Sequence, residues 1–140
     1  LIDCDVTPYI PNGWKIKNHR KGGEIEFDPS QVQFYQSDRQ RSGGSVVLKV
    51  LIAETNGKRR GNACILDHLL ANTNLIPEAW KTNENGSTRF IYFVDTEYSS
   101  DEDGDVCVRC LYWSDGQWFW SYSYLNYDVD AQDVVFILAS

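Results

Sequence analysis

Three runs of alternating apolar and polar residues, Thr88 to Tyr98, Asp105 to Trp113 and Gln117 to Leu125, are joined only by Ser99 to Gly104 and by Ser114-Asp115-Gly116. Strand side chains point to opposite faces in turn, so period-two runs of this length read as strands. Connections this short, with a glycine in each, join only antiparallel neighbours. The spacing predicts a three-stranded antiparallel meander and excludes an all-helical fold.

Upstream, Asn62 to Ala71 is the clearest helix. Asn62 can cap the first turn, and Ile65, Leu66, Leu69 and Leu70 make one apolar stripe with Asp67 and His68 off its centre. Pro77 opens a short helical turn through Trp80, a favoured place for proline. Leu1 to Asp5 reads as a short strand. Trp14 to Asn18 and Glu24 to Asp28 both alternate and flank Gly22-Gly23, which predicts a hairpin. Gln31 to Tyr35 is either a third strand or irregular, and residues 37–44 read as a polar exposed loop. Ser45 to Thr55 fits strand by its β-branched residues, and helix by the spacing of Val47, Val50, Leu51 and Glu54, with Ser45 as cap and Gly57 as stop. The expected architecture is α+β: the C-terminal meander, one or two packed helices and an N-terminal β-hairpin, in one domain over residues 1–140.

The composition fits that size. Of 140 residues, 42% are hydrophobic and 24% charged, and a domain of this length hides roughly 70% of its unfolded surface without a metal or disulfide staple. The net charge of −7 is unevenly spread: residues 1–60 carry 10 basic and 7 acidic groups, residues 61–140 carry 3 and 13. An acidic chain repels phosphate backbones, which disfavours nucleic acid except at an N-terminal basic patch. Cys4, Cys64, Cys107 and Cys110 are irregularly spaced and no signal peptide is recognisable, so reduced, buried thiols and a cytoplasmic location are expected. No apolar run approaches the roughly 20 residues of a membrane span. The chain lacks Met and starts at Leu1, which puts the initiator outside it, and its apolar end from Val134 to Leu138 leaves room for further chain.

The order Asn12-Gly13-Trp14, Lys21-Gly22-Gly23, Phe27-Asp28-Pro29, Asn62-Ala63 with Leu66-Asp67 and Leu69-Leu70, Leu75-Ile76-Pro77-Glu78 with Trp80-Lys81, and Cys107 through Trp113 resembles a group of short uncharacterised bacterial proteins over nearly the whole chain. The resemblance implies a helical Ser45 to Thr55 and carries no activity, cofactor or catalytic residue.

Several groupings can carry chemistry. Twelve of the 19 aromatic residues lie between Phe90 and Tyr127, and alternation puts Trp118, Trp120, Tyr122 and Tyr124 on one strand face. That row is either core beneath the Ile65 to Leu70 helix or a surface for a partner, sugar or base. Asp101-Glu102-Asp103-Gly104-Asp105 has the oxygens of a calcium loop, but strands flank it and a twelfth-position glutamate is missing, so it reads as a solvated acidic tip able to meet a basic partner. Cys107 and Cys110 have the spacing of a redox or zinc pair, yet residues three apart on a strand face opposite ways. His19 and His68 are the only histidines, and His68 and Asp67 diverge as helix neighbours. Asp95 and Glu97 share a strand face that is also an ordinary solvent face. Lys15, Lys17, Arg20 and Lys21, with Arg39 and Arg41 and with Lys58, Arg59 and Arg60, form a cationic patch only if folding gathers them.

The expected function is that of a small, non-enzymatic interaction protein of inhibitor, immunity or accessory type. It binds a protein partner of basic character through Trp118, Trp120, Tyr122, Tyr124, Asp101, Glu102 and Asp103. The alternative is a ligand-binding module stacking a sugar or nucleobase on Trp118, Trp120 and Tyr122. No metal or other cofactor is expected in either case.

Overall fold

A computed structural model describes residues 1–139. The strands in chain order are β1 (Ile2–Asp3), β2 (Trp14–His19), β3 (Glu24–Ile25), β4 (Val32–Tyr35), β5 (Val46–Val47), β6 (Phe90–Ser100), β7 (Val106–Ser114), β8 (Gln117–Tyr124), β9 (Asp128–Val129) and β10 (Asp133–Leu138). The α-helices are α1 (Asp38–Arg41), α2 (Leu48–Glu54) and α3 (Ala63–Ala71), and 3₁₀ turns occur at Pro29–Gln31, Thr73–Leu75 and Glu78–Trp80.

The fold is α+β, built on a mixed six-stranded sheet in the order β4-β10-β6-β7-β8, with β2 beside the second half of β6. Pairs β6·β7, β7·β8, β4·β10 and β2·β6 are antiparallel, whereas β10 runs parallel to β6, Val134 opposite Ile91. Both faces of the sheet are covered. Ile91, Phe93, Leu111 and Phe136 meet Ile65, Leu66 and Leu69 of α3 on one side. Tyr92, Val94, Val108, Cys110, Val135 and Ile137 meet Leu48 and Leu51 of α2 on the other. Central strands buried on both faces are apolar throughout, which is why the middle of β6 reads Ile-Tyr-Phe-Val.

The backbone divides at β6. Residues 59–61 enter the sheet between β10 and β2: the Leu138 N–H donates to the Arg59 carbonyl at 2.8 Å, the Gly61 N–H to the Phe136 carbonyl at 3.1 Å and the Asp95 N–H to the Gly61 carbonyl at 3.1 Å. Helix α3 follows at once. Its N-cap is Asn62, whose side-chain oxygen accepts from the Cys64 N–H at 3.0 Å, as the sequence predicts.

Three local expectations are corrected. The N-terminal hairpin does not form: β2 pairs with β6 and β3 with β1. Trp14 and Ile16 pack against a buried cluster of Tyr98 from β6, Cys107 from β7 and Ala63 from α3, more than the two-residue β3 can offer. Residues 37–44 are not simply an exposed loop. Ser37 and Gln40 form a capping box that starts α1, and Gln40 is fully buried, its Nε2 donating to the carbonyls of Asp130 at 2.7 Å and Asp133 at 2.9 Å. Residues 45–55 divide between the two readings, with β5 paired to β9 before α2 begins under Val47 rather than a Ser45 cap.

Candidate functional site

Trp118, Trp120, Tyr122 and Tyr124 lie on the α3 side of β8, opposite Trp113, Leu111, Arg109 and Cys107 of β7. Trp118 and Trp120 are half-buried against the α3 cluster, and Tyr122 is exposed. The rings do not form one flat platform. Trp14 meets Trp120 at an interplanar angle of 79° and Tyr122 at 87°, and Tyr122 meets Tyr124 at 85°. Edge-to-face packing of this kind stabilises a surface layer and breaks up a continuous stacking face.

Behind the row sits a group that sequence reading missed. Arg109 is buried, its Nη1 2.9 Å from Asp67 Oδ1 and its guanidinium carbon 4.5 Å from the Trp120 ring centre. Asp67 Oδ2 accepts the Tyr9 N–H at 2.8 Å, and the Tyr98 hydroxyl donates to the Tyr9 carbonyl at 2.8 Å. The ion pair therefore anchors the N-terminal segment, places the Tyr9 ring beside Trp120 and stiffens the aromatic layer. The signal available was one arginine in an otherwise apolar strand, together with one carboxylate on a helix that packs against it.

The acidic tip adjoins the row. The Tyr124 hydroxyl donates to Asp103 Oδ2 at 3.1 Å, which pushes the phenol up to about 12. The Asp105 N–H and the Ser100 hydroxyl hold the Asp103 carboxyl below its ordinary value. Asp101, Glu102, Asp103 and Asp105 are all exposed. Strand β8 is an edge of the sheet, and its eight residues, Gln-Trp-Phe-Trp-Ser-Tyr-Ser-Tyr, contain no Lys, Arg or Pro.

The basic residues divide. Arg20, Lys21, Lys58, Arg59 and Arg60 line one cleft of about 130 Å³, whereas Lys15 and Lys17 are exposed on β2 and do not line it. Arg60 departs from the exposed cluster expected for 58–60. It is buried, its Nε 2.9 Å from Asp95 Oδ1 and its Nη1 2.8 Å from the Ile52 carbonyl. Asp95 is therefore a structural ion-pair partner, and burial raises its pKa against the lowering by Arg60. Glu97 is half-buried beside it on β6.

One nucleophile and one base do approach each other: Cys64 Sγ is 3.8 Å from His19 Nε2. The hydrogen bonds prevent activation. His19 Nε2 is 3.0 Å from the Cys4 carbonyl, which can only accept, so this nitrogen carries the proton. His19 Nδ1 then accepts from Thr96 Oγ1 at 2.9 Å, and that oxygen takes the Ala63 N–H. The nitrogen facing the thiol has no free lone pair, and burial pushes the Cys64 thiol up to about 12. The triad is a tie between the N-terminal segment, β6 and α3. Cys107 and Cys110 face opposite sides of the sheet, and all four cysteines are free and buried. Among the described residues no three His, Cys, Asp or Glu side chains gather as metal ligands, and no helix is long and apolar enough to cross a membrane.

Comparison with family models, with curated proteins and with solved structures gave no match.

Proposed function

We propose that the chain is a non-enzymatic interaction protein that recognises an extended, basic segment of a protein partner along the β8 edge. The observation that carries this reading is the unprotected edge strand. Exposed edges are ordinarily blunted by Lys, Pro or bulges because their outward N–H and C=O groups are a template for another strand. Gln117–Tyr124 has none of these, and its C-terminal end is hydrogen-bonded to the acidic tip through Tyr124 and Asp103. Strand addition would supply affinity through main-chain bonds and specificity through side chains beside Phe119 and Tyr122, both exposed. The tip, in a chain of net charge −7, would raise the association rate of a cationic segment.

Peptides selected from a display library against the whole chain test the reading. The expected winners are extended sequences in which Lys or Arg alternates with apolar residues. Replacing Asp101, Glu102 and Asp103 by Ser should slow their association several-fold at low salt and little at high salt. Phe119→Lys with Ser121→Lys should weaken capture at both. Winners indifferent to both variants would reject the edge as the binding site.

A sugar-binding reading keeps one specific support. Trp118 borders a groove of about 620 Å³ with Leu70, Asn74, Glu78, Gln117 and Trp113, a volume within the range of small-molecule sites. Lys81 Nζ stands 3.5 Å above the Trp113 ring, so that face is already occupied, and the groove ranks second to the edge.

A further inference from the structure

The cleft between the β2–β3 connection and residues 58–62 is a separate feature from the β8 edge. Arg20 and Lys21 arrive there because the Arg20 N–H donates to the Asp95 carbonyl at 2.8 Å, after which Gly22-Gly23 turns the chain, Gly23 at φ +72°. Lys58 and Arg59 arrive because Gly57, at φ +86°, ends the turn after α2, and Arg59 then bonds to Leu138 of β10. Two segments nearly forty residues apart thus place four exposed cations around one opening.

None of these four has a carboxylate within ion-pair distance among the described residues. Two carboxylates nearby already have partners, although Arg20 still acts on Asp95 at longer range. Asp95 lines the cleft but is held by Arg60, and Asp5 Oδ1 accepts the Gly23 N–H at 2.8 Å. Gathering four unpaired cations costs mutual repulsion, and a chain with 20 acidic residues had many ways to neutralise them. The lining also contains apolar residues, Ile25, Ile65, Leu138 and Cys4, of which Leu138 is the most accessible.

The geometry points to a binding site for a small phosphomonoester: the phosphoryl group among Arg20, Lys21, Lys58 and Arg59, with a compact apolar body against Leu138 and the edge of Ile25. A dianion with three acceptor oxygens matches several guanidinium and ammonium donors, which a single carboxylate does less completely. The volume of about 130 Å³ admits one such head and a small body. The net charge of −7 acts against a nucleic acid.

Phenyl phosphate and inorganic phosphate are the probes, titrated into the whole chain and followed by amide chemical shifts. The expected result is saturable binding of phenyl phosphate, at least ten-fold tighter than inorganic phosphate, with the largest shifts at residues 20–22 and 58–62. Lys21→Ser with Arg59→Ser should weaken it at least ten-fold, while Lys15→Ser with Lys17→Ser changes it less than two-fold. Thermal unfolding of each variant shows whether the fold is intact; if the first variant unfolds, Lys58→Ser alone carries the test with an expected loss of three-fold or more. Non-saturable shifts, equal affinity for the two probes, or equal losses in the Lys15/Lys17 variant would overturn the site. An oligonucleotide that competes for the same residues more tightly than phenyl phosphate would overturn it in favour of a nucleic-acid surface.

Discussion

The guanidinium of Arg109 is held between the Asp67 carboxylate, 2.9 Å from its Nη1, and the Trp120 ring, 4.5 Å from its central carbon. One cation thus connects helix α3, strand β7 and the aromatic face of β8. The arginine side chain is 1% exposed and that of Asp67 28% exposed, so the two members respond differently to loss of the partner.

Asp67→Asn strands a buried cation whose Nε already has no acceptor. Breaking a fully buried pair costs about 3–5 kcal/mol, and the partial exposure of Asp67 lowers the expectation to about 2–3 kcal/mol. Arg109→Met removes the charge, keeps much of the volume and leaves a carboxylate that can reach water, so it should cost less than Asp67→Asn. Urea midpoints of the two variants measure the order. Equal or reversed losses would mean that packing of the arginine stem, rather than its charge, holds the site together.

The thiols give a second prediction. Burial pushes Cys4 and Cys107 up to about 11 and Cys64 and Cys110 up to about 12. The thiolate is the reactive species, so at pH 8 a disulfide reagent should modify the native chain at least a hundred-fold more slowly than the urea-unfolded chain. Fast modification of Cys64 would show that His19 does activate it, contrary to the assignment of its Nε2 proton.

What could be read from the residues follows from the range of the interactions involved. The Asn62 cap and the stripe of α3 are decided within one or two turns, and both are visible in ten residues. The pairing of β2 with β6, the parallel entry of β10 beside β6 and the meeting of Asp67 with Arg109 depend on residues 42 to 86 positions apart, for which local pattern carries no information. Gln40 lies between these cases: its capping box with Ser37 was legible as Ser-x-x-Gln, but its burial comes from carbonyls at Asp130 and Asp133. The aromatic row shows the limit at the site itself. Alternation placed its four rings on one face, while Trp120 and Tyr122 at its centre pack edge-on against Tyr9 and Trp14, which come from the other end of the chain.

Asp133 makes stability depend on pH in an unusual direction. Burial raises its carboxyl from 3.8 to about 6, against the lowering by the Asp130 N–H. The folded state therefore prefers the protonated acid. Its contribution is fully present below pH 4, declines as the pH rises through 4 to 6, and above that the buried charge is a constant penalty of about 2 kcal/mol after allowance for partial exposure. Asp133→Asn keeps an acceptor for the Asp130 N–H without ever ionising. It should stabilise the chain by about 2 kcal/mol at pH 7.5 and by nearly nothing at pH 4, as measured by urea unfolding at both values. A gain that is the same at both pH values would remove ionisation as its cause.

Gly61 shows how narrowly the sheet accommodates the strand that divides it. A Cβ at this position would stand 2.5 Å from Cδ1 and 3.0 Å from Cε1 of Phe136, and 3.0 Å from Cδ2 of Phe93. Neither ring can yield cheaply, since the two are stacked at 4.8 Å and buried, and Gly61 itself is fixed by backbone bonds to Phe136 and Asp95. Overpacking of a filled core costs about 1–3 kcal/mol, and the rigidity on both sides places Gly61→Ala at about 3 kcal/mol, a fall in Tm on the order of 10 °C. The clash predicts its own relief. Phe136→Leu alone opens a cavity and costs stability, but in the Gly61→Ala background it frees the space the methyl group needs, so the double variant should be more stable than the sum of the single losses by about 1 kcal/mol or more. Thermal unfolding of the four proteins closes the cycle. Simple additivity would mean that the backbone at residues 59–61 moves aside, and that the division of the sheet between β10 and β2 is looser than its hydrogen bonds suggest.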